Sequence, residues 1–285
     1  MHLNNLAHYL WQATLSTFSQ LVMLLGPGLA LAFVMHILAD FIAAKACRII
    51  GRNAFLLIFG WLGTIVHEGG HALFCLLFGH RITAIKWFAL SGTDGCRGYV
   101  RHSYDRNSLY QRIGQFFIGI GPILLGTVVI CSAASYLLEA ELFATIRQNA
   151  DSAIAASQHS FAALAKAIGH GCVTIFAAIF TGKNLTDWKF YTFLYLSFSV
   201  GSAITLSPQD VKGALSGFLT LAGLLLLCNV VTNWLGSVPE SLFRGLSSAY
   251  SVFYAAMLLT IIMNAMVAAV LLLLPASCRG NADRS

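Results

Sequence analysis

"GTIVHEGGHALF", residues 63–74, sets two histidines and a glutamate inside one of the most apolar runs of the chain. Hydrocarbon rejects all three groups, so their presence there needs a chemical reason. His67 and His71 are four apart, which on a helix puts them on one face, one turn above the other. Two neutral imidazoles at that spacing can hold one Zn2+, and Glu68 supplies a carboxylate beside the open coordination position to take a proton from water. The run therefore reads as a zinc site on a helix, with Glu68 as general base. The plainer alternative is a set of polar groups satisfying neighbouring helices. It leaves a carboxylate near the bilayer interior with no partner, and only a metal accounts for all three residues together.

Working outward, the composition is that of an integral membrane protein. Of 285 residues, 58% are hydrophobic and 10% charged, with mean hydropathy +0.75. Apolar windows of roughly 20 residues, the length a bilayer requires, lie near 19–39, 54–78, 113–138, 188–206, 214–235 and 250–274. The expected fold is an all-α multi-pass protein of a cell or inner membrane, with about six transmembrane helices forming one membrane domain over 1–285. The apolar stretch 168–181 is short and reads as an interfacial or re-entrant helix. Residues 1–18 lack Lys and Arg and show no cleavage site, so they are expected to be retained as an amphipathic segment.

The formal charge is +6, but the basic residues are dispersed between spans, which excludes nucleic acid as the natural partner. Their densest set is Arg81, Lys86, Arg97, Arg101, Arg106 and Arg112. Counted over all loops of a six-span chain, that set included, the basic residues divide almost evenly between the two sides, so charge assigns the orientation only weakly. The seven cysteines form no C-x-x-C pair and give no disulfide framework.

Residues 81–102 differ from the spans around them. Two short runs rich in Ile, Trp, Val and Tyr flank Ser-Gly-Thr-Asp-Gly, which predicts a small membrane-associated β-hairpin. It is either a connector or an edge for strand addition by an extended substrate. Gly69 and Gly70 each cost a helix about 1 kcal/mol relative to Ala. Close helix packing and room for a substrate explain them equally well.

A catalytic zinc usually takes three protein ligands. Asp210, in "TLSPQDVKGALSG" between the windows 188–206 and 214–235, is the favoured third donor, with His36, His102 and His170 as competitors. Ser207, Pro208 and Asp210 also read as a capping start for the following helix, which by itself would explain them. With six spans, Asp210 and the end of 54–78 fall on the same side of the membrane, provided 168–181 does not cross. Asn229 and Asn233, four apart, form a polar stripe whose expected use is interhelical hydrogen bonding, with substrate or oxyanion binding as the alternative.

Over about residues 54–215 the chain resembles the site-2 protease family of membrane-embedded zinc metallopeptidases. The resemblance is carried by His67, Glu68, Gly70 and His71, the Gly-and-aromatic hairpin, the Gly121-Pro122 span and the later Asp. It implies that His67, His71 and Asp210 bind Zn2+ and that Glu68 is the catalytic base. It also implies a membrane-protein substrate, cut in a transmembrane or juxtamembrane segment. The family's later motif has Gly directly after Asp; here Val211 and Lys212 intervene before Gly213. No inserted PDZ-like domain is present in the sequence. The competing functions are a metal-binding membrane scaffold without activity, which would have no need of Glu68, and a metal or ion transporter, which would repeat its polar residues across several spans.

Overall fold

The computed structural model describes residues 3–90, 97–138, 144–145, 148–149, 151–152, 155–156, 160–235 and 240–275. The chain is mostly helical. In order come α1 (Leu3–Ile50), the short α2 (Arg52–Phe55), a π-helical turn (Leu56–Gly60) and α3 (Trp61–Leu77). Strands β1 (Arg81–Lys86) and β2 (Tyr99–Ser103) follow, then α4 (Leu109–Leu137), α5 (Phe161–Ile179), α6 (Gly182–Thr186), α7 (Trp188–Gly201), α8 (Pro208–Leu235) and α9 (Glu240–Leu273). Among the described residues, three helical stretches are long and apolar enough to cross a membrane: Gly28–Ile50, Leu109–Leu137 and Pro208–Val231. Ala165–Ile179 and Met257–Leu273 are shorter apolar stretches.

The expected hairpin is present. β1 and β2 pair antiparallel, with Ile82 opposite His102, Ile85 opposite Val100 and Lys86 opposite Tyr99, and an irregularity between Ile82 and Ala84. Its turn, 91–96, lies outside the described residues. The segment 1–18 is not a separate element where it is described: from Leu3 it is the start of α1, a helix of 48 residues and therefore about 72 Å long.

Glycine decides how the helices carrying the motif approach one another. α3 and α4 cross antiparallel with Gly70 against Gly121. A Cβ on Gly70 would stand 2.6 Å from the Gly121 carbonyl, and one on Gly121 would stand 2.7 Å from the Gly70 oxygen. Close packing is therefore the reason for Gly70. Gly69 is less tightly held: a Cβ there would meet only Leu125 Cδ2, at 3.3 Å.

The contacts along α4 correct one expectation. Gly126 faces Val200 and Ile204, Gly119 faces the Asp210 carbonyl and Ala214, and Gly217 packs against Arg112 and Phe116. As α4 is followed backward, the partner chain advances from 200 to 217. α7 and α8 thus run in the same sense, as two parts of one line broken at residues 202–207, and the windows 188–206 and 214–235 are not a pair of oppositely running spans. The break has a local cause: Pro208 lacks an N–H, and the residue before a proline is pushed out of the helical region. α1 runs against this line, with Thr17 and Gln20 bonded to Asn229 and Ile42 clustered with Phe198.

Candidate metal centre

α3 stacks His67 and His71 one turn apart, with ring centroids 5.0 Å from each other. Each ring is anchored through Nδ1. His67 Nδ1 donates to the Ala203 carbonyl at 2.9 Å, and His71 Nδ1 donates to the Ile118 carbonyl at 2.8 Å. A carbonyl only accepts, so in each neutral ring the proton is on Nδ1 and the lone pair on Nε2. Both carbonyls are free for backbone reasons. Ile118 lies four residues before Pro122, inside α4, and a proline has no N–H to return to it. Ala203 lies just past the end of α7, where its oxygen also takes the Thr205 N–H at 2.9 Å in place of a further helical turn.

Asp210 arrives from the start of α8. Its Oδ1 is 3.3 Å from His71 Nε2 and its Oδ2 is 4.0 Å from His67 Nε2. Oδ2 also accepts the Ser207 N–H at 2.7 Å, while Ser207 Oγ accepts the Asp210 N–H at 3.2 Å. This is the reciprocal capping box. Cap and donor are thus one carboxylate, which the cap aims at the two histidines. Gly119 allows the approach, because a Cβ there would stand 2.6 Å from the Asp210 carbonyl.

Three lone-pair donors therefore converge, their atoms all within 4.8 Å of one another, and each ring's Nδ1 proton is already committed to a carbonyl. Acceptors facing one another repel unless a cation lies between them. Tetrahedral ligands held 2.0–2.1 Å from a zinc ion stand about 3.4 Å apart; His71 Nε2 and Asp210 Oδ1 are at that spacing, and His67 Nε2 stands wider, at 4.0 Å from Oδ2. The group can hold a metal ion, and the donor set of two imidazoles and a carboxylate fits zinc chemistry. The competing histidines do not join it. His36 pairs with Asp40 along α1 at 3.6 Å, His102 bonds to His80, and His170 lies on α5.

Glu68 is buried, with 7% of its surface exposed, and its carboxylate makes no hydrogen bond among the described residues. It lines a cavity of about 630 Å3 together with His67, His71, His102, Gln115 and Asp210. Gly98, just before β2, closes against it: a Cβ there would stand 2.8 Å from Glu68 Cγ. Gln115, buried on α4, was not singled out from the sequence. Its signal is a carboxamide at the third position of the apolar window 113–138.

Outside the helices, burial together with the neighbouring His80 and His71 rings pushes the His102 pKa down to about 4. Burial also lowers that of His80, against the opposing hydrogen bond to Gln111. Asn229 is used between helices, donating from Nδ2 to Thr17 Oγ1 and Gln20 Oε1, each at 2.8 Å. The Asn233 side chain lies outside those described. No family model matches the chain, and neither a curated protein nor a solved structure matches it.

Proposed function

We propose that this chain is a membrane-embedded zinc metallopeptidase of the site-2 protease kind, hydrolysing a peptide bond of a membrane-protein substrate in or next to the bilayer. The observation that supports it most is the convergence of His67 Nε2, His71 Nε2 and Asp210 Oδ1 beside the carboxylate of Glu68, which has no hydrogen-bond partner among the described residues, within one cavity. His67, His71 and Asp210 would hold the ion through those atoms. Zinc, when bound, supplies Lewis acidity, which makes a water more acidic and polarises the scissile carbonyl. Glu68 takes the proton from water on a carboxylate oxygen and passes it to the leaving amine. The surrounding helices hold bulk solvent away from that carboxylate. A scaffold reading gives Glu68 no task.

In the membrane, α1 from Gly28, α3, α4, the broken α7–α8 line and α9 form five crossings that alternate in direction, instead of six. α1 and α9 run in parallel, since Gly28 meets Tyr254 and Ile42 clusters with Ala268.

Purified protein should carry about one zinc per chain, lost when His67 and His71 are both replaced by Ala. Glu68→Gln should retain the metal and lose 10²–10⁴ in rate, roughly the value of a general base, against a panel of single-span membrane peptides. Equal cleavage by Glu68→Gln and the unmodified chain would overturn the reading.

A further inference from the structure

A chain of hydrogen bonds beside the metal cavity fixes the protonation pattern of His102. His80 Nε2 is 2.8 Å from the Gln111 carbonyl, which only accepts, so Nε2 carries the His80 proton. His80 Nδ1 is then an acceptor, and His102 Nδ1, 3.0 Å away, must donate to it. The proton of His102 is thereby held on the far side of its ring, leaving Nε2 as a bare acceptor. The ring stands on β2 in the wall of the cavity that holds His67, Glu68 and His71, and among the described residues Nε2 has no hydrogen-bond partner. Tyr104, stacked on His80 at 5.1 Å and 17°, and Gly114, where a Cβ would stand 3.0 Å from His80 Nε2, hold the relay in place.

An acceptor prepared in this way needs a donor from whatever enters the cavity. In an extended peptide, the donor present at every residue whatever the side chain is the backbone N–H.

We infer that His102 is a substrate-binding residue that accepts a backbone N–H of the peptide through Nε2, and that His80 is a positioning residue that fixes its tautomer. The inference rests on the peptidase reading. It assigns to the cavity wall a contact that fixes substrate register by backbone and not by side chain.

The test uses the full-length zinc-loaded protein and a peptidyl hydroxamate, which binds through the metal, together with a series in which each backbone N–H is singly replaced by N–CH3. In the unmodified protein, N-methylation at one position should weaken binding about 3- to 10-fold, the value of one hydrogen bond. In His102→Phe, which keeps a ring of similar size, that position should lose its penalty. His102→Gln, with an amide oxygen in reach of the Nε2 position, should restore part of it. Nitrogen NMR of histidine-labelled protein should show His102 protonated at Nδ1, and His80→Phe should disturb that state.

Equal N-methyl penalties in the unmodified protein and His102→Phe, both still binding the parent hydroxamate and zinc, would overturn the inference and leave the peptidase reading standing. A His102 protonated at Nε2 would overturn it independently of any ligand. Failure of the hydroxamate to bind zinc-loaded protein at all would count against the peptidase reading itself, and the inference would fall with it.

Discussion

Asp210 faces His71 across 3.3 Å with one carboxylate oxygen and closes the cap of α8 with the other, through the Ser207 N–H at 2.7 Å. The start of a helix and the third corner of a metal site are thus set by one side chain. Removing the Ser207 hydroxyl frees the Asp210 N–H but keeps the Ser207 N–H on the carboxylate, so it should loosen the cap more than the metal site.

Ser207→Ala is expected to cost about 0.5–2 kcal/mol of stability, as loss of an N-cap does, and to leave metal affinity within about 10-fold, because the Ser207 N–H that orients the Asp210 carboxylate is kept. Asp210→Asn should abolish tight metal binding while costing the metal-free protein only about 0.3–1 kcal/mol from the lost helix-dipole interaction. Metal titration and denaturation of the apo forms separate the two effects. Unchanged metal affinity in Asp210→Asn would leave the residue a cap only.

Pro122 acts on His71 through a missing hydrogen. Pro122→Ala restores an N–H that competes for the Ile118 carbonyl, so His71 should be held less firmly. The expected result is metal affinity lowered about 10- to 100-fold with helix stability unchanged or raised. Isothermal titration with zinc checks it, and a variant that binds as tightly as the unmodified chain would show that the proline serves only the shape of α4.

The two glycines of the motif should respond differently. Gly70→Ala drives a methyl into the Gly121 backbone and should destabilise by about 1–3 kcal/mol or more, separating α3 from the carbonyl that anchors His71. Gly69→Ala meets only the end of a flexible leucine. It should fall within about 1 kcal/mol of neutral, since the gain in helix propensity offsets the crowding. Thermal unfolding in detergent is the measurement.

Acid should weaken the apo protein partly through His102. Its native pKa of about 4 lies below the ordinary histidine value of about 6.5, so the denatured chain binds more protons between those limits. Stability is complete above about pH 6.5 and declines as the pH falls toward 4. His80, also lowered, adds to the same slope. Comparing metal-free His102→Phe with the unmodified chain across this range should show a shallower decline in the variant, and equal slopes would exclude the contribution.

The broken α7–α8 line carries a topological prediction. In a background without native cysteines, Cys replacing Asn107 and Cys replacing Leu235, the last residue of α8, should react with an impermeant thiol reagent from the same side of the membrane. If α7 and α8 were separate crossings, they would react from opposite sides.

His67, Glu68 and His71 were legible in the sequence because a four-residue spacing is a property of one helix and needs no partner to be read. The same holds for the hairpin, whose alternating runs and turn residues are local, and for the Ser207–Asp210 cap. The groups that complete the centre, two backbone carbonyls and one carboxylate, come from three separate segments. Nothing local says that Ile118 and Ala203 will offer carbonyls to the two histidines, or that Gly119 will let α8 approach until Asp210 reaches His71. The direction of α8 was misread for the same reason. Hydropathy measures how apolar a window is but carries no sign, and only the order of contacts along α4 shows that residues 188–235 advance one way. The chemistry of the candidate site was therefore set by short-range spacing, and its assembly by long-range packing of glycine-lined helices, whose geometry arises only when the surfaces meet.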